Sequence, residues 1–137
     1  MNWWWSIPKF PTIISYLEID ADKEIISEFK EYFAALGLQL DIITNKTAKI
    51  DTKQDIQEIE LIILLITNNS STNHIEENGF ANEIMNFSLM YQKKILILIE
   101  EGLKLDKTNA EFEYVFFRRD KLHKSFTKCI YSLHSLT

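Results

Sequence analysis

The sequence predicts an α/β domain of three layers, built on a five-stranded parallel sheet in the strand order 2-1-3-4-5. Two observations predict it. The runs Leu61–Ile66 and Ile95–Ile99 are apolar at every position, as in strands buried on both faces. Between the strand-like runs, apolar residues return every three or four positions, the pattern of helices packed by one face. Strands alternating with helices make βαβ units, which build parallel sheets through right-handed crossovers.

Pro11 precedes the first strand, Thr12–Tyr16, a short β-branched run. The next stretch reads as a helix from about Asp22 to Leu36, with Ile25, Ile26, Phe29, Tyr32, Phe33 and Leu36 on one face. Asp20 and Asp22 are its candidate caps, and Gly37 stands where a helix ends in a left-handed residue. Leu38–Ile43 is the second strand, and Thr44–Glu60 is polar with weak helical periodicity. Leu61–Ile66 is the third strand, followed by a polar loop over Thr67–Asn78. Helical spacing returns from Phe80 to about Gln92, Ile95–Ile99 is the fourth strand, and Gly102–Ala110 is loop. Glu113–Phe117 reads as an edge strand, and Asp120–Leu136 as a closing helix. Five strands in this alternation suit a flavodoxin-like sheet. An aromatic segment over residues 1–10 precedes one domain over 11–137. Within the segment, Trp3, Trp4 and Trp5 leave two readings open: a cover over apolar surface, or a contact patch for another subunit.

Composition narrows the function classes. At 137 residues, 46% hydrophobic and 26% charged, the chain has the make-up of a globular domain. Its net charge of -5 argues against a nucleic-acid partner, since a phosphate backbone rewards clustered Lys and Arg. Arg118, Arg119, Lys121, Lys124 and Lys128 read as a solvated face. No apolar run reaches the ~20 residues of a spanning helix, and Met1–Phe10 lacks the pattern of a signal peptide. Cys129, the single cysteine, fits a reducing, cytoplasmic setting and a core position. Glycines only at 37, 79 and 102 exclude the Gly-rich phosphate loops. No histidine pair has metal-ligand spacing, and no serine stands in a nucleophile elbow, so neither a metal site nor a hydrolase triad is expected.

In an open parallel sheet, ligands bind beyond the carboxyl ends of the strands, where the strand order reverses. For the order 2-1-3-4-5 that crevice lies between the first and third strands. Ser15–Asp22 and Thr67–Gly79 enter it, with Asn45 nearby. The junction Asn78-Gly79-Phe80-Ala81-Asn82-Glu83-Ile84 joins the loop after the third strand to an apolar helix. Glu83 at this junction is the candidate for chemistry; balancing the helix dipole as a first-turn acid is the other role open to it.

From Thr12 onward the order of features resembles a bacterial Toll/interleukin-1 receptor (TIR) domain. Ile13-Ile14-Ser15-Tyr16 resembles the family's first-strand motif, and Ile62–Asn69 its third strand running into Ser, Thr and Asn residues. Ala81-Asn82-Glu83-Ile84 resembles the helix carrying the family's catalytic glutamate, and Lys93–Ile99 the strand that follows. The family's Ser-x-Trp-Cys arrangement is missing. Gly79-x-x-x-Glu83-Ile84 is closer to the nucleoside 2-deoxyribosyltransferases, whose aspartate-rich ribose loop is replaced here by Asn68, Asn69, Ser70 and Ser71. Both resemblances imply cleavage of an N-glycosidic bond with Glu83 as the catalytic carboxylate.

The TIR resemblance implies an NAD glycohydrolase or cyclase, with NAD as substrate rather than cofactor, giving ADP-ribose or a cyclic isomer in antiphage signalling. It further implies self-association and an effector or sensor protein partner. Under it, Ser15, Asn45, Thr67, Asn68, Ser70, Ser71 and Asn82 are candidates to hold ribose hydroxyls, and Tyr16 and Phe80 to stack on a base. A non-catalytic TIR interaction module and a deoxyribosyltransferase-like enzyme are the alternatives.

Overall fold

A computed structural model describes residues 11–46, 58–70 and 73–136 of the chain. Its five strands are β1 Pro11–Tyr16, β2 Gln39–Thr44, β3 Leu61–Ile66, β4 Lys94–Glu100 and β5 Glu113–Phe117. They form one sheet in the order β2-β1-β3-β4-β5, every neighbouring pair parallel, as the alternation of apolar runs requires. The described helices are α1 Lys23–Ala35, α2 Gly79–Met90 and α3 Leu122–Ser135. Short 3-10 turns at Asp20–Asp22, Ile75–Glu77 and Arg119–Lys121 lead into them. Thr67–Asn78 is therefore only partly loop, and the last helix begins two residues after Asp120.

The alternation of side chains along each strand divides the core into two layers. Ile14, Leu61, Ile63, Leu65, Leu96, Leu98, Val115 and Phe117 face α1 and α3, where Phe29, Phe33, Cys129 and Leu133 meet them. Ile13, Ile62, Leu64, Ile66, Ile95, Ile97 and Ile99 face the other way, towards Ala81 of α2 and Ile75 in the turn before it. Every residue of β3 is buried, which explains a strand with no polar position at all. At the edge the pattern relaxes: β2 buries Thr44 fully and leaves Gln39, Asp41 and Ile42 exposed.

Phe29 anchors the α1–α3 layer. Its ring lies edge-on to Phe117 at 5.2 Å and to Phe126 at 5.7 Å. Tyr32 stacks on Phe126 at 4.1 Å and donates its hydroxyl hydrogen to the Phe126 carbonyl, fixing α1 against α3. Gly37 ends α1 with φ 89°, a conformation that favours glycine. Asp22 occupies the cap position of α1, but its side chain makes no capping hydrogen bond. The carboxylate is drawn instead to partners across the sheet. The Trp3–Trp5 cluster lies outside the described residues.

Candidate functional site

The carboxyl ends of the strands gather a polar layer above the apolar core. Its centre is an ion-pair network that joins residues distant in sequence. Arg119, in the turn between β5 and α3, sends Nη2 to Asp22 Oδ1 at 2.8 Å and to Glu100 Oε1 at 2.9 Å, and Nε to Glu100 Oε2 at 3.1 Å. Asp22 is almost wholly buried. Its Oδ2 also accepts the Thr67 hydroxyl at 2.6 Å, and its Oδ1 the Asn69 amide at 2.9 Å. Glu100, the last residue of β4, also accepts the Asn68 backbone N–H at 2.9 Å. Burial alone would raise the Glu100 carboxyl. The Arg119 hydrogen bonds, the Asn68 N–H and the guanidinium charge outweigh it and hold the group below its ordinary value. The same contact with Glu100 holds the Arg119 proton more tightly than usual.

Arg119 thus belongs to a shared network rather than to the solvated face its basic neighbours suggested. Sequence reading passed over Asp22, Glu100 and Arg119 as site residues. Their common signal is position: Glu100 ends an apolar run, and Asp22 and Arg119 follow β1 and β5 by a few residues, so parallel strands bring all three to one edge.

The loop after β3 is tied down at both ends. The Thr67 N–H donates to Ser70 Oγ at 2.9 Å, and the Ser70 hydroxyl donates back to the Thr67 carbonyl at 3.0 Å. Asn78 donates from Nδ2 to the Ser70 carbonyl and accepts the Ala81 N–H on Oδ1 at 3.0 Å, which caps α2. Further on, His74 bridges to Lys104 in parallel, and its ring nitrogen Nδ1 lies 3.0 Å from Asp106 Oδ2. Asn82 donates to the Glu76 carbonyl at 2.7 Å, holding this turn against α2. Thr67, Asn68, Ser70 and Asn82 therefore all have structural hydrogen bonds. Ser71 lies outside the described residues.

The remaining candidates divide between the two faces. Ser15 is fully buried in β1, beside Leu64, on the face that α2 covers. Among the described residues its hydroxyl has no hydrogen-bond partner, a state that costs about 1–3 kcal/mol in an apolar interior. Tyr16 points to the opposite face, where burial first and the Glu18 charge second raise its phenol. Asn45 accepts the Glu18 N–H on Oδ1 at 2.9 Å, and the Thr44 hydroxyl donates to Glu18 Oε1 at 2.8 Å, closing the β1–β2 edge. Phe80 is half-buried against the α2 layer.

Glu83 is exposed and lies in the second turn of α2, not the first. With Asn78 as the cap and no acid in the first turn, the helix start is satisfied without it. Surface pockets lined by described residues include three. One of about 660 Å³ lies between α1 and α3, one of about 610 Å³ runs along Glu100–Gly102 and Arg118–Asp120, and one of about 370 Å³ opens beside Tyr16. None of the three is lined by Glu83, Ser15 or Asn45. Among the described residues, no cluster of His, Cys, Asp and Glu is arranged to hold a metal ion, and no helix is long and apolar enough to cross a membrane. No family model and no curated protein matches this sequence.

Proposed function

We propose that the chain is a TIR-like NAD glycohydrolase or cyclase that cleaves the bond between nicotinamide and ribose, with Glu83 as the carboxylate that stabilises the developing positive charge. The observation that carries this reading is the placement of Glu83. It stands exposed on the helix entered directly from the loop after β3, in a sheet of order β2-β1-β3-β4-β5, and the cap of that helix is Asn78. The helix-capping role that would explain a glutamate here is already filled. Ser15 adds support, as a buried hydroxyl without a partner among the described residues on the same side of the sheet.

The chemistry asks for little else. The ribose centre becomes oxocarbenium-like as the bond breaks, and one carboxylate stabilises or traps it. Nicotinamide is cationic in NAD and leaves neutral, so no strong general acid is required. A TIR-like domain of this kind acts when self-associated and in concert with an effector or sensor protein, in the cytoplasm.

The test is release of nicotinamide from NAD by an assembled sample, with the Glu83→Gln variant beside it. The expected outcome is a loss of at least ~100-fold in turnover, with an unchanged circular dichroism spectrum. Equal turnover in the variant overturns the assignment of Glu83.

One observation favours a second reading, a non-catalytic interaction module. The side chains of Thr67, Asn68, Ser70 and Asn82 all bond within the protein, leaving few described polar groups to grip a ribose. Assembled protein that releases neither nicotinamide from NAD nor free base from nucleosides supports that module. Free base from nucleosides alone supports a deoxyribosyltransferase-like enzyme.

A further inference from the structure

Three lysines converge on one pocket in a chain whose net charge is -5. The pocket, about 370 Å³, opens between the carboxyl end of β1, the start of α1 and the turn after β2. Lys23 and Lys30 come from α1 and Lys46 from the turn, while Tyr16 forms part of the wall. Lys23 and Lys30 are seven residues apart, so two helical turns set them on one side of α1. Neither makes an ion pair among the described residues. Lys46 differs: its Nζ lies 3.7 Å from Glu18 Oε2, and Glu18 is held in turn by Thr44 and by the Asn45–backbone contact. The remaining carboxylate in the pocket, Asp20, has no hydrogen bond or ion pair among the described residues.

Glu18 and Asp20 do not balance the three ammonium groups, so the pocket keeps an excess of positive charge that favours an anion. An ammonium group is a compact point charge with three donors, suited to phosphate oxygens, whereas planar carboxylates are best matched by the arginine fork. Asp20 and Ser27 supply what the lysines lack: an acceptor and a hydroxyl, chemistry that pairs with sugar hydroxyls. The volume falls at the small end of the ~300–1,000 Å³ range of ligand sites, too little to enclose a dinucleotide. We infer that this pocket binds a small sugar phosphate, with Lys23, Lys30 and Lys46 on the phosphate and Asp20 on the sugar hydroxyls. The site is on the α1 side of the sheet, whereas Glu83 belongs to α2 on the other, and its occupancy does not depend on glycohydrolase activity.

The experiment is a titration of the full chain, followed by backbone amide chemical shifts at constant ionic strength. The probes are ribose 5-phosphate, inorganic phosphate and ribose. Saturable shifts at Lys23, Ser27, Lys30 and Lys46 are expected with ribose 5-phosphate, at least 5-fold tighter than with inorganic phosphate, and none with ribose. The paired Lys23→Met, Lys30→Met variant should lose at least 10-fold in affinity, Lys30→Arg should keep most of it, and Glu83→Gln should bind as the unaltered chain does. Asp20→Asn should narrow the margin between ribose 5-phosphate and inorganic phosphate. Shifts that never saturate, or that persist unchanged in the paired variant, overturn the site. Equal affinity for the two phosphates overturns the sugar half of the inference.

Discussion

Asp22 has the sequence position of a helix cap and the environment of a core ion. Its carboxylate is 1% exposed and accepts from Thr67, Asn69 and Arg119, so a residue that local rules assign to α1 serves instead to join β1, β3 and β5 at one edge. Phe29 is its apolar counterpart, fully buried and touching rings from β5 and α3. Phe29→Ala should destabilise the fold by about 3–5 kcal/mol, read from denaturant midpoints. Cys129 lies in the same layer, and burial pushes its thiol up to about 12. At pH 8 it should therefore resist a thiol-specific disulfide reagent in the folded protein and react fully in denaturant; rapid labelling of the native chain would contradict its burial.

At the scale of elements, the start of α2 and the turn before α3 are the two junctions that polar groups secure. Asn78 caps α2 and also holds the Ser70 carbonyl, so Asn78→Ala should cost about 1–2 kcal/mol, read from the same midpoints. Arg119 secures the other junction. Removing it as Arg119→Met leaves Asp22 and Glu100 as buried carboxylates without their cation, a class of change that costs about 3–5 kcal/mol. The Arg119 side chain is 35% exposed, so solvent screening places the expected loss lower, at about 2–3 kcal/mol. The sign of the pH dependence follows from Glu100, whose carboxyl is held below its ordinary value in the fold. Its contribution is fully present above the unfolded pKa of about 4.3 and is lost as pH falls through the lower folded value. Glu100→Gln should therefore be less stable than the unaltered chain at neutral pH, with the gap closing on acidification. A constant gap from pH 7 to pH 3 would show that the ion pair is not its source.

Across the whole molecule, stability should grade from the middle of the sheet outward. β3 and β4 are buried on both faces at nearly every position and lie between other strands, whereas β2 is an edge with several exposed positions. Amide hydrogen exchange should accordingly be slowest in β3 and β4, opening only with global unfolding, and faster in β2. Exchange from β2 as slow as from β3 would contradict the gradient. The polar layer on the carboxyl edge follows from the same architecture: parallel strands all end on one side, so the residues just past them collect there.

The sequence by itself determined the five strands and the three described helices and their order along the chain, because continuous apolar runs and apolar periods of three to four residues are local properties; the three 3-10 turns were not legible in it. Leu61–Ile66 and Ile95–Ile99 announce buried central strands, Gly37 announces a helix end, and Cys129 announces a core position. The sequence placed Glu83 one turn too early in its helix, since helix starts are set by caps such as Asn78 whose partner cannot be seen in one dimension. What only the tertiary structure decided is which polar side chains already have partners. Thr67, Asn68 and Ser70 in the loop and Asn82 at the start of α2 look like ligand-binding residues, and the side chain of each proves to bond within the fold. Asp22, Glu100 and Arg119 look ordinary in sequence and meet across up to 97 residues. Hydrogen bonds and ion pairs are short-range and directional, so their pairing depends on strand register and on the reach of each side chain, which no local pattern encodes.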